Sequence, residues 1–194
     1  LDGRISPKFL HPGPGFGGSC FPKDTRALIH SAEIKGVELK VVKAAADANE
    51  AQIDVIIKKL ERLAGGSLKG KRVAVMGLAF KANTDDIRES RAVAMVDYLL
   101  SREAEVAVYD PAAMSNMKLL YPDLDYADSV ESAVKGASAA LVMTDWNEFR
   151  GLDLAHIGEL MKKKVIVDAK NLLSREQLAE NGFAFEGVGR PYNG

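Results

Sequence analysis

The sequence contains a single cysteine among 194 residues. One cysteine excludes an internal disulfide and favours a reducing compartment, so we expect a cytoplasmic location. No apolar run approaches the ~20 residues of a membrane-spanning helix, so we expect no membrane partner. A formal net charge of −1 without a dense basic block argues against nucleic acid as a partner. The three histidines, His11, His30 and His156, are scattered and predict no metal site.

Short apolar segments alternate with helical patterns from residue 72 onward. Segments 72–77, 105–110, 139–144 and 165–168 predict buried strands, with a weaker one at 183–185, and segments 92–100, 130–134, 152–161 and 174–180 predict helices. Strands separated by helices of this length imply parallel β-α-β units. The expected fold class is therefore α/β, with a Rossmann-like parallel sheet over residues 70–194.

Residues 1–66 lack this alternation. Residues 11–18 read H-P-G-P-G-F-G-G, which excludes a regular helix or a central strand because proline removes a donor and glycine costs backbone entropy. A helix is predicted from Pro22 to Gly36, and the longest helical pattern runs from about residue 39 to 63. So long a helix could connect two lobes or pack against another subunit. The glycines after it mark the predicted domain boundary, between 1–66 and 70–194.

Cys20 lies where the glycine-rich loop meets a predicted helix. The unpaired N–H groups at a helix start favour the thiolate, so Cys20 is a candidate nucleophile, although a lone cysteine is more often a small buried apolar residue. Because Gly15, Gly17 and Gly18 lack side chains, a substrate could approach the backbone closely. Asp24, one helical turn later, could orient water or handle a proton.

A second candidate segment, G-L-A-F-K at residues 77–81, follows the first predicted strand. The fingerprint G-x-G-x-x-G is absent there, so conventional NAD binding by this part of the chain is not supported. Phe80 could stack on a base or sugar and Lys81 could meet a phosphate; the alternative is a plain turn with an exposed lysine. Helix capping accounts for residues 84–90 except Arg88. Asp110 could bind a ribose hydroxyl or simply make a turn.

Residues 15–24, G-F-G-G-S-C-F-P-K-D, resemble the active-site cysteine segment of the UDP-glucose 6-dehydrogenase family. The segments 3–10, 77–90, 144–149 and 168–171 match the same family, so the resemblance extends over essentially the whole chain. Asp145 stands where the family commonly has Glu, and Lys170 where it commonly has Arg. The family's amino-terminal NAD-binding domain has no counterpart in this sequence.

The resemblance implies an NAD-dependent oxidation of UDP-glucose to UDP-glucuronate in two hydride transfers, through a thiohemiacetal and a thioester on Cys20. It implies catalytic roles for Cys20 and Asp24, and NAD contacts by Cys20, Lys23 and Arg88. The substrate-binding residues that it implies are Arg4, Phe9, His11, Pro12, Gly13, Pro14, Gly15, Phe16, Gly17, Phe80 and Lys81. Because the NAD fingerprint is lacking, we expect the cofactor to be bound mainly by the absent amino-terminal domain, and the chain alone to be inactive.

Several alternatives stay open. The chain could be a nucleotide-sugar binding module without catalysis, or part of a dehydrogenase for another nucleotide sugar, GDP-mannose or UDP-N-acetylmannosamine. Phe21 after Cys20 favours UDP-glucose within the family. The long apolar helix also predicts a homodimer, in which it would pack against its twin.

Overall fold

A parallel sheet lies at the centre of the computed structural model, which describes residues 11–190. Its strands are β1 (Arg72–Met76), β2 (Glu105–Tyr109), β3 (Asp125–Tyr126), β4 (Ala139–Val142), β5 (Val165–Asp168) and β6 (Ala184–Gly187). They run in the order β3-β2-β1-β4-β5-β6, and every neighbouring pair is parallel. This is the strand order of the Rossmann fold, so the predicted fold class is confirmed.

Helices connect the strands and precede the sheet. They are α1 (Phe21–Ile34), α2 (Lys40–Ala64), α3 (Arg91–Ser101), α4 (Met114–Leu120), α5 (Val130–Val134), α6 (Asn147–Arg150), α7 (Leu154–Leu160) and α8 (Arg175–Glu180). Three short elements, α4, β3 and α6, were not among the predicted ones. The helices α4 and α6 each bury a single residue, Met117 and Phe149, so neither shows a hydrophobic period, and β3 has only two residues.

Both faces of the sheet are covered, as a parallel sheet requires. In β1, Val73 and Val75 point into the core that α2 and α3 cover, whereas Ala74 and Met76 point into the core on the opposite face. All four side chains are fully buried. This explains why β1 has a continuous apolar sequence instead of an alternating one.

The carboxyl-terminal half of α2 packs directly on this sheet. Ile56 and Leu60 are fully buried there, and Lys59 and Arg62 both bind the carboxylate of Glu186 in β6, Lys59 Nζ at 2.8 Å and Arg62 Nε at 2.9 Å. Burial alone would raise the pKa of Glu186, but the hydrogen bonds from Arg62 and Lys59 outweigh burial and hold this pKa below its usual value. The end of the long helix is therefore fixed to the sheet by both apolar and charged contacts.

Large apolar side chains are exposed on α1, on α2 and in the segment between these helices. They are Phe21, Leu28, Ile34, Val37, Val41 and Val55, and Val41 is the most exposed at 82%. Within residues 11–190, no helix is both long and apolar enough to cross a bilayer.

Candidate active site

The strand order reverses between β1 and β4, and the loops that follow them diverge from this point. In open sheets of this kind, ligands bind in the crevice beyond the carboxyl ends of the strands at such a switch point. The loop after β1, residues 77–90, and the loop after β4, residues 143–146, form this edge, and residues 169–174 after β5 extend it.

The glycine-rich loop, residues 11–20, lies against this edge and is hydrogen-bonded to side chains of α2. Asn49, which is 6% exposed, accepts a hydrogen bond from the Phe16 N–H at 2.7 Å and donates one to the Phe16 carbonyl at 3.2 Å. Gln52 Nε2 donates to the Gly13 carbonyl at 2.9 Å. Arg91 Nε donates to the same Phe16 carbonyl at 3.3 Å. The irregular backbone of the loop is thus fixed by side chains of two helices.

Arg91 is itself held by a charged partner. Its two terminal nitrogens each donate to one carboxylate oxygen of Glu50 at 2.9 Å, a bidentate pair that joins α2 to the start of α3. The hydrogen bonds from Arg91 are the main reason why the pKa of Glu50 lies below its usual value. This pair fixes the position of the helix start next to the glycine-rich loop.

The glycines of the loop allow close contact with the loop after β1. The Gly18 N–H donates to the Arg88 carbonyl at 3.0 Å, and a Cβ atom added to Gly18 would lie 2.8 Å from the Phe80 ring. A Cβ on Gly17 would overlap the Glu89 carbonyl oxygen. The space beside Gly17 and Gly18 is therefore filled by the protein itself and is not open to a substrate, contrary to the suggestion from the sequence.

Cys20 stands at the start of α1, as the sequence predicts. It is the N-cap residue, its side chain is exposed, and its carbonyl accepts the Asp24 N–H at 2.8 Å. The Asp24 carboxylate lies one turn along the helix and is 3.2 Å from Lys23 Nζ. The thiol is thus accessible to a ligand, with a carboxylate and an ammonium group on the next turn.

Arg88 belongs to the same corner of the molecule. Its guanidinium donates to both carboxylate oxygens of Asp86, Nε at 2.9 Å and Nη2 at 2.8 Å. The hydrogen bond to Asp86 is the main cause of the raised pKa of Arg88, and the negative charge of a Cys20 thiolate raises it further. The hydrogen bond from Arg88 likewise lowers the pKa of Asp86. Arg88 is therefore a preorganised cation within electrostatic reach of Cys20.

The structure also brings Phe80 and Lys81 to this corner. The Phe80 N–H donates to the Asp86 carbonyl at 3.1 Å, and the Phe80 ring is half-buried against the glycine-rich loop. Lys81 Nζ lies 5.4 Å from the centre of the Phe80 ring, within the range of a cation–π contact, and its side chain is exposed. An aromatic face and a positive charge are thus presented side by side.

The remaining predicted residues are placed as follows. His11 and Pro12 are exposed, Gly13 and Gly15 are half-buried, and Pro14 is buried. Arg4 and Phe9 lie outside the described residues. Among residues 11–190, no group of three or more histidine, cysteine, aspartate or glutamate side chains is arranged to hold a metal ion.

Asp110 makes a turn, and the ribose contact considered above does not fit it. The residue is 2% exposed, and both of its carboxylate oxygens accept hydrogen bonds from the protein. A ribose hydroxyl has no access to a carboxylate that is buried and already satisfied in this way.

Lys170 is a further candidate that is not among the site residues predicted from the sequence. Lys170 Nζ lies 3.5 Å from Asp145 Oδ1, and a Cβ on Gly13 would be 3.7 Å from Lys170 Nζ. Its position after β5, at the same sheet edge as Lys81, is the sequence signal that could have identified it. Asp168, just before it, is buried, and burial raises its pKa despite hydrogen bonds from backbone N–H groups.

Comparison with known proteins agrees with this geometry. Residues 74–175 match the UDP binding domain of the UDP-glucose/GDP-mannose dehydrogenase family, and residues 1–51 match its central domain. A UDP-glucose 6-dehydrogenase of Rhizobium meliloti is 42% identical over 98% of this chain and 44% of the relative. The UDP-glucose 6-dehydrogenase AglM of Haloferax volcanii is 47% identical over 91% of this chain and 40% of the relative.

A solved structure shows the same fold. The UDP-glucose dehydrogenase of the hyperthermophilic archaeon Pyrobaculum islandicum superposes with a TM-score of 0.85 at 37% identity, covering 98% of this chain and 42% of that one. The chain therefore spans less than half the length of these relatives. The match to the family's UDP binding domain covers residues 74–175, which is more than half of this chain. The chain therefore belongs to the UDP-glucose/GDP-mannose dehydrogenase family.

Proposed function

We propose that the chain is the part of an NAD-dependent UDP-glucose 6-dehydrogenase that carries the catalytic cysteine and binds UDP. The observation that carries the proposal is the position of Cys20. Its exposed thiol stands at a helix start beside Arg88, on a loop that contacts the carboxyl edge of the UDP-binding sheet. The names of the relatives supply the substrate, UDP-glucose.

Cys20 acts as the nucleophile in this proposal. After the C6 alcohol of the sugar has been oxidised to an aldehyde, the sulfur bonds to C6, the C=O π bond opens and the oxygen takes up a proton in exchange for the thiol proton, which gives a thiohemiacetal. Loss of a second hydride and a proton leaves a thioester. Water then attacks C6, the C–S bond breaks, and the thiol and a carboxylate are released. NAD⁺, when bound, would accept a hydride in each oxidation.

Charged groups around Cys20 handle protons and charge. We assign to the Asp24 carboxylate the role of orienting water or accepting a proton, as it stands one turn after the thiol. Lys23, at 3.2 Å, offsets part of its negative charge. Arg88, with Cys20 and Lys23, is assigned to the cofactor side, because its fixed positive charge suits an anionic dinucleotide.

The UDP part of the substrate is assigned to the loops at the sheet edge. Phe80 offers a face for stacking and Lys81 a positive charge for a phosphate. We assign residues 11–17 to the same crevice, except for the Cβ side of Gly17, which Glu89 fills, and Lys170 adds a second cation near Gly13. Because the turn after β1 lacks the fingerprint for a dinucleotide, we assign NAD mainly to a domain outside this sequence and expect no turnover by the chain alone.

We further propose that the chain forms a homodimer through the long helix. Burial of the six exposed apolar side chains of α1, α2 and the segment between them would remove a large apolar surface from water. Sedimentation velocity at several concentrations tests this, and a monomer at every concentration would end the proposal. A cytoplasmic location stays a prediction from the cysteine content.

The nucleophile can be tested on the chain alone because Cys20 is its single thiol. We expect UDP to bind in isothermal titration, and UDP-glucose to slow the alkylation of Cys20 by iodoacetamide. The C6 aldehyde of UDP-glucose should protect the thiol more strongly, because it forms the thiohemiacetal without any oxidation. Equal protection by the aldehyde and by UDP-glucose would contradict the covalent role.

One control variant and the choice of ligand separate the alternatives. Lys81→Ala should weaken UDP binding about tenfold, the effect of one charged contact, and leave the alkylation rate without ligand unchanged. UDP binding without any aldehyde adduct would favour a binding module, and preference for GDP-mannose or UDP-N-acetylmannosamine would favour a sister dehydrogenase. NADH production by the chain alone would disprove its expected inactivity.

A further inference from the structure

Asp110 is buried at the carboxyl end of β2 and accepts five N–H donors. Its Oδ2 atom accepts hydrogen bonds from the backbone of Leu78 at 2.6 Å and of Ala79 at 3.1 Å, and from the indole of Trp146 at 3.1 Å. Its Oδ1 atom accepts from the backbone N–H groups of residues 112–113, each at 2.8 Å. A carboxylate accepts this many donors well because it is charged and carries no proton of its own.

Two of these donors have a special position in the fold. The backbone N–H groups of the turn after β1 are the ones that hold the diphosphate in a dinucleotide-binding Rossmann domain. Here the Leu78 and Ala79 N–H groups are occupied by Asp110. Their carbonyls are also paired, with Ser90 Oγ on Leu78 and Thr144 Oγ1 on Ala79, both at 2.6 Å. The backbone N–H and carbonyl groups of Leu78 and Ala79 are therefore all hydrogen-bonded within the protein. Neither N–H group is available to an external anion.

We propose that Asp110 is an internal substitute for the diphosphate and a positioning residue for the UDP site. Its negative charge fills the anion position of the turn after β1, which excludes a dinucleotide from this turn. Asp110 thereby fixes the position of Phe80, the residue directly after Ala79. The Phe80 ring in turn fills the space beside Gly18, two residues before Cys20. The part that concerns UDP rests on the function proposed above.

The Gly77 backbone supports this reading. Gly77 has a φ of 90°, its N–H donates to the Tyr109 carbonyl at 2.8 Å, and a Cβ would lie 2.5 Å from the Thr144 Cβ. The left-handed turn directs the next two N–H groups toward Asp110 instead of toward solvent. The glycine and the aspartate thus act together on one loop.

Trp146 makes the proposal measurable, because it is the single tryptophan of the chain and its indole N–H donates to Asp110. The experiment compares Asp110→Gly with the unchanged chain by tryptophan emission, thermal melting and UDP titration. Each is measured in sodium formate and in sodium chloride of equal ionic strength. Formate is a small carboxylate that fits the space left by the side chain.

We expect Asp110→Gly to show shifted emission, a lower melting temperature and UDP binding about tenfold weaker, as expected when a loop is no longer preorganised. Formate should reverse these changes saturably and chloride should not. Ser90→Ala is the matched control, since it loosens the same turn at the Leu78 carbonyl without vacating an anion position. Its lower melting temperature should be the same in formate as in chloride.

Three results would overturn the proposal. They are an Asp110→Gly chain with unchanged emission, a formate effect equal to that of chloride, and wild-type behaviour of Asp110→Asn, whose amide cannot accept all five donors. If Asp110→Gly does not fold in chloride, its refolding yield in formate decides, and equal yields in the two salts count against the proposal. Failure of the unchanged chain to bind UDP would refute the proposed function, while emission and melting would still test the anion substitution.

Discussion

Substitution of Asn49 by leucine should release the glycine-rich loop from α2. Leucine has a similar size but removes both hydrogen bonds to Phe16, at 2.7 and 3.2 Å. The Phe16 carbonyl keeps its bond from Arg91, whereas the Phe16 N–H loses its partner. An unsatisfied N–H group in a partly buried site costs about 1–3 kcal/mol, and we take ~2 kcal/mol.

A loss of ~2 kcal/mol that acts on the loop alone increases its opening equilibrium roughly 30-fold. The assay is cleavage by chymotrypsin after Phe16, under conditions in which the loop closes faster than it is cut, so that the rate reports the opening equilibrium. Gln52→Ala is the control, because it removes a donor and leaves the Gly13 carbonyl free to bind water. We expect it to cost about 0.5–1 kcal/mol and to speed cleavage roughly two- to fivefold.

The melting temperature distinguishes a loss of stability in the loop alone from a loss of stability in the whole chain. If the loop opens by itself, the whole-chain melting temperature changes little in Asn49→Leu while cleavage accelerates. If the loop and the sheet unfold together, ~2 kcal/mol lowers the melting temperature by about 4–8 °C. Cleavage of Asn49→Leu no faster than that of Gln52→Ala, with an unchanged melting temperature, would refute the reasoning that the buried amide holds the loop.

Two other substitutions test the sheet and the long helix. Gly77→Ala should lower the free energy of unfolding by about 3 kcal/mol or more, because the residue has a φ of 90° and its new methyl group would meet Thr144. Gly136→Ala is the control: this residue also has a positive φ but has open space around it, so we expect a loss of only about 1 kcal/mol. Equal losses in denaturant unfolding would contradict this reasoning. Glu186→Gln should cost about 2 kcal/mol near neutral pH, less than for a fully buried pair because Arg62 is half exposed. Because the folded-state pKa of Glu186 is lowered, its stabilisation is present above the unfolded pKa and is lost as the pH falls through the folded value, so thermal melts of the two chains should converge in acid. A difference that does not change with pH would show that the charge is not responsible.

Much of the fold followed from local patterns. The apolar segments at 72–77 and 139–144 contain strands because they are short, apolar and bounded by turn residues, and Cys20 starts a helix because Pro22 and Asp24 suit a first turn. The elements α4 and α6 were missed because each buries only one residue, which gives no hydrophobic period. Asn49 was missed for a different reason, since a polar residue inside a long helix usually faces solvent.

The sequence by itself determined the kind of sheet, the helix that begins after Cys20 and the family to which the cysteine segment belongs, because each depends on residues that are close together in the chain. Only the tertiary structure decided which distant groups meet. Asn49 is 33 residues from Phe16, Arg91 is 75 residues from it, and Asp110 is 32 residues from Leu78. Such pairs depend on how the helices pack on the sheet, which no local period encodes. For this reason the sequence predicted Phe80, Lys81 and Cys20 as separate candidates, and the packing alone placed them in one corner.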